Sequence, residues 1–558
     1  MRGLGAWCRP EWALLPLALL VLSTHPGRAT TADSTQVVGR ITIQNLGVFD
    51  PQVAQYRQFP YPLLNKLHVR TRSGVIRREL LFAPGSRFDQ ELVEESARNL
   101  RKYRFLGHIA LVPAVHADTV NVTVRTEDQW TTNPDVVIDQ QGKIYRRGLG
   151  FEEENFLGYG KYFNLRFLTS TDRNLVRVIY NDPRLLGSHQ TLHLMGIKTS
   201  EGELGEVRFA HPQYSLGTSW SFDTGYHYEK GVVRLYDQGE LSASVGNQQQ
   251  LGDMAMTRVW GDRTRQQKLS ISLVAERQTF ADQVALLLPA APSAQALLAM
   301  GPVSRQNLRL EGRWQLEHVG FIKRRFIDRA GFTEDIKVGQ FASLGAGQAL
   351  GLGGRRDSYA LVSASLVESA AIGDNHLAIL SVAAGGHVER GQLTNETFEA
   401  FYHHYYQGLP HQTIAFSAAG DLARDMDQPF QLVLGGDIGL RGYPARQFTG
   451  DRFALFNLED QVFTPVEVAT LRLGFAAFGD AGMVWPAGRA WRWRDLRPSA
   501  GISLRLGVIK FAGNPVFRLD LARPLRRSQG MDRYAIGFSF SPVFWTFGGP
   551  DAIVKRFR

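Results

Sequence analysis

From Tyr145 to Trp545 the chain is written in short runs in which apolar and polar residues alternate, broken by Gly, Asp, Asn and Ser. Tyr162–Leu168, Leu175–Tyr180, Trp220–Tyr228, Ala360–Leu366, Leu471–Phe478 and Tyr534–Phe544 are examples. A period of two places successive side chains on opposite faces of a strand, and no helix-period stretch of comparable length competes. The pattern is sharpest near the C-terminus. In SAGISLRLG, Ile502, Leu504 and Leu506 share one face, while Gly501, Ser503 and Arg505 share the other. VFRLDLA and AIGFSFS repeat the division, with Arg518 and Asp520 on the polar side of the first. A soluble sandwich or propeller would bury the apolar face. A membrane barrel shows it to lipid and keeps the polar face in its lumen.

The flanking segments favour the barrel. Arg2 and Arg9 precede the apolar run Ala13–Leu22, and a small-residue site follows at Ala29. This is the form of a secretory signal over residues 1–29. The run is too short to cross a bilayer as a helix. The single cysteine, Cys8, lies in this leader, so the processed chain is expected to have neither disulfide nor thiol nucleophile. A mean hydropathy of −0.19 excludes a bundle of membrane helices but not a barrel, whose lipid-facing residues are diluted by every second position. The formal charge of +10 favours anionic surfaces. No nucleic-acid motif accompanies it, so nucleic acid is not an expected partner. A basic tail, residues 546–558, ends in Lys555, Arg556, Phe557 and Arg558.

Residues 37–128 read as a separate α/β unit. Val38–Ile43 alternates as a strand, and Val75–Phe82 reads as a helix stopped by Pro84 and Gly85. Asp89 is placed to cap a second helix carrying the stripe Leu92, Val93, Ala97, Leu100 and Tyr103. Two strands follow, Ile109–Val115 and Thr119–Thr126.

One stretch is too polar and glycine-rich for a strand: Leu434–Gly450, LGGDIGLRGYPARQFTG. Gly435, Gly436, Gly439 and Gly442 allow unusual backbone angles, and Arg441 is a rigid fork that stays charged. A matching carboxylate follows at Asp480 in Phe478–Gly482, FGDAG, with further acids at Glu459 in FNLED and Asp520 in RLDLARPL. The Arg-Gly-Tyr at Arg441, Gly442 and Tyr443, the FGDAG run and RLDLARPL stand in the order found in the BamA, TamA and two-partner-secretion transporter superfamily, which this chain resembles. VGRITIQ, IRRELLFAPGSRFD, NLRKYRFL and VNVTVRTEDQW resemble a POTRA domain, and GLGFEEENFLGYGKYFNLRF resembles the family's barrel start.

The resemblance implies a mainly β chain: a periplasmic α/β POTRA-like domain, then an outer-membrane antiparallel barrel over 140–545 of roughly sixteen strands. It implies a clasp of Arg441 on Asp480, with Phe478 and Gly482 beside it and Glu459 and Asp520 as further acids. It places the barrel's seam between the GLGFEEENFLGYGKYFNLRF strand, with Gly158 and Gly160 in the first hairpin, and Tyr534–Phe544, which Gly537 and Pro542 weaken. The implied task is insertion or translocation of polypeptides. Its expected partners are unfolded outer-membrane or secreted chains, outer-membrane lipids and periplasmic chaperones. A secretion pore for one client and a passive outer-membrane channel stay open as alternatives. No catalytic role, cofactor or metal is expected, since no metal spacing, Gly-x-Ser-x-Gly or phosphate loop occurs. His403 and His404 in YHHYYQ read as an interfacial or surface loop, and Val284–Met300 as a long loop with a short helix.

Overall fold

The computed structural model describes residues 36–141, 144–327, 333–352, 358–468, 470–512, 516–527 and 531–541. The leader with Cys8, the basic tail and Pro542 lie outside the described residues.

The chain opens with β1 (Val37–Leu46), α1 (Tyr61–Leu67), α2 (Ser73–Arg78), α3 (Gln90–Arg101), β2 (Leu106–His116) and β3 (Thr119–Asp128). The strands form one sheet in the order β1-β3-β2, with β1 parallel to β3 and β2 antiparallel to it. Ile76, Val93, Leu100, Val120, Val122 and Val124 fill its core. The Asp89 carboxylate caps α3, accepting from the amides of Glu91 at 2.8 Å and Leu92 at 3.4 Å. Two details differ from the sequence reading. The proline-rich loop contains α1, because Pro62 suits a first helical turn. The helix expected over Val75–Phe82 runs instead over Ser73–Arg78. The amides of Glu79 and Leu80 bond back only three residues, so the last turn tightens and stops.

The remainder is a second sheet. Its first strands are β4 (Thr132–Gln141), β5 (Ile144–Glu153), β6 (Tyr162–Ser170), β7 (Asn174–Asp182), β8 (Thr191–Thr199) and β9 (Glu203–His211). Longer strands follow: β10 (Trp220–Asp237), β11 (Glu240–Gly261), β12 (Arg265–Leu286), β13 (Arg305–Arg324) and β14 (Glu334–Gly351). Then come β15 (Tyr359–Ile372), β16 (His376–Glu389), β17 (Gln392–Tyr406) and β18 (Gln412–Arg424). Two three-residue strands, β19 (Leu432–Leu434) and β20 (Phe448–Gly450), pair only with each other. The wall resumes with β21 (Arg452–Val468), β22 (Leu471–Trp485), β23 (Arg497–Val508), β24 (Val516–Pro524) and β25 (Ala535–Ser541). Neighbours run antiparallel and β25 returns to lie beside β4.

Among the described residues the wall has twenty strands, so the expectation of sixteen is corrected. The reason lies at its start. β4 to β9 have only nine or ten residues each, enough to cross a bilayer on a tilt, so six strands fit between Thr132 and His211. The same region moves the seam. GLGFEEENFLGYGKYFNLRF forms β5, its turn and β6, and the strand beside β25 is the earlier β4, which starts ahead of residue 140. Gly158 and Gly160 therefore sit in the second hairpin turn of the wall, not the first.

The faces follow the alternation. Ile502 is 62% exposed on the outside of β23, while Ser503 and Arg505 are buried on the inside. Leu519 and Leu521 point out from β24, and Arg518 and Asp520 point in. All of YHHYYQ but its last residue, Gln407, lies within β17 rather than in a loop: His403 is buried on the inner face, and His404 is half-buried with its Nε2 3.0 Å from Nδ1 of His376. After β12 the chain forms α4 (Pro292–Met300), whose Ala294 and Leu297 pack on Leu235, Ala243 and Val245 at the tips of β10 and β11.

The α/β unit sits at one end of the barrel, against the turns β5–β6, β7–β8, β9–β10, β11–β12 and β23–β24. Glu79 is buried and receives Arg184, with an Nε contact of 2.8 Å, as well as the Tyr103 hydroxyl at 2.6 Å. Burial, and after it the nearby Glu79 charge, pushes the Tyr103 phenol well above its ordinary value. Arg263 binds Asp89 at 3.0 Å and Glu91 at 2.6 Å, Arg101 pairs with Asp335, and the Trp130 amide donates to the Lys510 carbonyl at 2.8 Å.

Candidate functional site

The long connection from β18 to β21 leaves the far end of the barrel, opposite the α/β unit, and folds back against the inner wall. The small ribbon β19–β20 starts it. Leu434, Leu440 and Tyr443 then pack on Phe401, Phe453 and Leu455. Leu434, Leu440 and Leu455 are fully buried, so this polar-looking loop is seated by three leucines before any charge is considered. Gly442 has φ of 92° where the loop reverses, and a Cβ there would approach the Pro524 nitrogen to 3.1 Å. Gly439 is also left-handed, whereas Gly435 is extended at φ 179°. At Gly435 the constraint is closeness, since a Cβ would meet the Pro444 carbonyl at 2.2 Å. Gly436 donates to the Tyr443 carbonyl at 3.2 Å.

Arg441 is thereby delivered to the wall at β21 and β22. Its Nε donates to Asp480 Oδ2 at 2.9 Å and its Nη2 to Oδ1 at 2.8 Å. Its backbone amide adds a bond to Oδ2 at 3.2 Å. Nη1 reaches Glu459 Oε2 at 2.9 Å, and the guanidinium lies 3.4 Å from the Phe478 ring centroid. The fork thus meets one carboxylate bidentately and a second end-on, over an aromatic face. Of the further acids, Glu459 joins the clasp and Asp520 does not bond Arg441: it accepts from Arg518 Nη2 at 2.9 Å. Gly482 leaves room for Leu434, whose Cδ2 would stand 2.8 Å from an added Cβ. Tyr443 places its hydroxyl 2.9 Å from the carbonyls of Pro498 and Arg526, donating to one at a time.

Several participants escaped the sequence reading. Asn457 Nδ2 donates to Asp480 Oδ1 at 2.7 Å and to the Gly439 carbonyl at 2.9 Å, linking loop and wall. Gln461 donates to Glu459 at 2.6 Å, and Arg505 Nη2 donates to it at 2.5 Å. Asn457 and Gln461 share the parity of Glu459, so the alternation would have found them. Gly501 opens space for the Phe478 ring, where a Cβ would approach to 2.4 Å. Arg446 had no local signal. It crosses to the β6–β7 turn, where Nη1 meets Asp172 at 2.9 Å and the Tyr236 hydroxyl at 2.5 Å. The Arg446 hydrogen bond holds the Asp172 carboxyl below its usual range, and Asp172 in turn raises the guanidinium. Gln431 exchanges two 2.8 Å bonds with the Tyr236 backbone, and Asp427 pairs with Arg305 of β13.

A wall with apolar residues outside, charged residues inside and a loop clasped within it defines a transmembrane β-barrel with an internal loop. A model of the Omp85 superfamily domain matches residues 155–542, more than half of the chain, and the chain belongs to that superfamily. It is an outer-membrane protein, with the α/β unit on the periplasmic side. It is 22% identical over 497 residues to "Outer membrane protein assembly factor BamA" of Nitratidesulfovibrio vulgaris, covering 84% of this chain and 50% of that protein. It is 28% identical over 130 residues to a "Putative outer membrane protein assembly factor" of Treponema pallidum, covering 22% of this chain and 16% of the other. The chain thus spans half or less of the length of these curated relatives. Similar solved structures include CdiB from Acinetobacter baumannii, at 11% identity and a TM-score of 0.43. That match covers 91% of this chain and 74% of CdiB. BamA from Haemophilus ducreyi lacking POTRA domains 1–3 matches at 12% identity and a TM-score of 0.38, covering 90% and 84%.

Proposed function

We propose that the protein assists the insertion or translocation of polypeptides at the outer membrane, with residues 37–128 acting as a POTRA-like receptor and the Arg441 loop as a lid within the lumen. The observation that carries this reading is the sheet edge at β2. The order β1-β3-β2 leaves no element paired with the outer side of β2 among the described residues, whereas Ser86 and Phe88 already bond the start of β1 and the residue before it. Val112 and Val115 are exposed along β2. Such an edge binds an extended chain through its backbone and reads little of its sequence, which suits clients of many kinds. The unit holding it is tied by ion pairs to the barrel rim. Within the wall, β25 lies beside β4, and this is where the two ends of the strand order meet.

Arg441, Gly442 and Tyr443 with Glu459, Phe478 and Asp480 then have a conformational task. Seating and release of the loop move a permanent charge between carboxylates and water, so the lid has two distinct positions rather than a continuum. Client folding and burial in lipid supply the driving force, with no cofactor.

Depletion of the protein followed by outer-membrane proteomics tests this. A broad fall in barrel proteins, restored by wild type but not by Arg441→Ala or Asp480→Ala, supports insertion. Loss of one secreted protein alone replaces it with a dedicated transporter. An unchanged proteome overturns both and leaves a permeability role.

A further inference from the structure

Two turns on the periplasmic rim hold leucines outward on left-handed backbone. Leu157, in the β5–β6 turn, has φ 53°, and Leu186, in the β7–β8 turn, has φ 52°. A branched side chain adopts this conformation at a cost. Yet Leu157 is 55% exposed and Leu186 is 97% exposed. Leu186 recovers none of that cost by packing within the chain and Leu157 only part of it, which points to a covering from outside.

The surroundings identify the covering. Phe156, beside Leu157, lies 6.3 Å from Phe163, which lies 6.3 Å from Phe151. Phe151 and Phe163 are on the outer wall, by parity opposite Glu152 and the buried Asn164. The lipid-facing aromatics of the wall therefore continue to the rim and into the turn. Next to it the α/β unit presents Lys66, Arg70, Arg72, Arg77 and Arg78 with no acid between them. All five are exposed. Two of them, Arg72 and Arg78, meet the same turns. The Arg72 amide donates to the Gly158 carbonyl at 3.0 Å, and its guanidinium lies 4.0 Å over the Tyr159 ring. A Cβ on Gly187 would come within 3.0 Å of the Arg78 guanidinium.

We propose that these two turns and the Lys66–Arg78 edge form one docking surface for anionic phospholipid of the periplasmic leaflet. Leu157, Leu186 and Phe156 enter the acyl region, and the arginines lie at headgroup depth, each able to take a phosphate through a fork of donors. Lipid is the occupant because the apolar part continues the lipid-facing wall and the basic part complements headgroup charge. The membrane surface then fixes the tilt of the α/β unit and the direction in which the β2 edge faces. The inference rests on the barrel's seat in the membrane and is independent of the client reading.

The test uses the full chain, Cys8→Ser and Leu186→Cys, labelled with bimane at position 186. It is reconstituted in phosphatidylcholine vesicles with or without phosphatidylglycerol. Acyl chains brominated near the headgroup should roughly halve the fluorescence. Phosphatidylglycerol should slow amide exchange over residues 66–78 by about threefold or more relative to pure phosphatidylcholine. Arg72→Glu with Arg78→Glu should abolish that difference while the barrel keeps its heat-modifiable gel mobility. An unquenched label overturns the proposal, and so does equal exchange in the two lipids.

Discussion

The lid is held at two places, and they are built differently. At the wall, Arg441 is 7% exposed and meets two carboxylates, one of which, Asp480, is fully buried. At the rim, Arg446 is 19% exposed and meets Asp172, itself 27% exposed, beside the Tyr236 hydroxyl. The distances are alike, and the solvent is not. A buried cation removed from its carboxylates leaves charges that water cannot reach, whereas a rim pair is screened and readily rehydrated. In the proposed function the wall contact serves as the latch, and the rim contact sets where the rest of the loop lies.

Substitutions should separate the two. Arg441→Ala or Asp480→Asn should unseat the loop, with a loss of roughly 3–5 kcal/mol in its closure, read as rapid proteolysis within residues 432–450. Arg441→Lys should restore part of this, because an ammonium keeps the charge but not the fork. If Arg441→Ala leaves the loop protected, the leucine seat and not the ion cluster is the latch. Gly442→Ala should cost about 1–2 kcal/mol by the same measure, since it forces a Cβ into left-handed backbone. Tyr443→Phe removes one hydrogen bond to the Pro498 or Arg526 carbonyl and should cost about 1 kcal/mol. Arg446→Ala should cost less than about 1 kcal/mol and raise amide exchange near residues 444–447 without exposing Arg441. The smallest effect is that of pH. Because Arg446 lowers the Asp172 pKa in the folded state, this contact contributes fully above the ordinary aspartate value of about 3.9 and is lost as pH falls through the lower, folded value. Protection near Arg446, taken relative to the intrinsic exchange rate at each pH, should therefore be flat from neutral pH down to about pH 4 and fall only below it.

A second contrast bears on the fold. The strands β10 to β13 have 18 to 22 residues, and β4 to β9 have nine or ten. Long strands announce themselves by many alternations. Short ones carry only four or five. In β6 and β7 these are regular, with Asn164, Arg166 and Arg177 at the inward positions, so Tyr162–Leu168 and Leu175–Tyr180 were legible. In β4 the consecutive Val136, Val137 and Ile138, and in β9 Leu204 out of step with Val207 and Phe209, break the period, so those strands were not. The α/β unit was read better, because a cap at Asp89 and a stripe ending at Tyr103 are local signals.

Sequence alone determined which residues face lipid and which face the lumen, because a strand's parity is fixed by its own covalent geometry. The pairing of Arg441 with Asp480 was legible only through the motif order shared with the superfamily, in which FGDAG follows the Arg-Gly-Tyr. Tertiary structure decided the rest. Strand number depends on how the ring closes, and the partner of Arg446 lies 274 positions away in sequence. Asp520 and Glu459 looked alike as candidates, since both are acids on inward faces. Only the position of the folded loop over β21 and β22 brings Glu459 to Arg441 and leaves Asp520 to Arg518. Contacts between distant segments depend on how the whole barrel is assembled, and no local pattern encodes that.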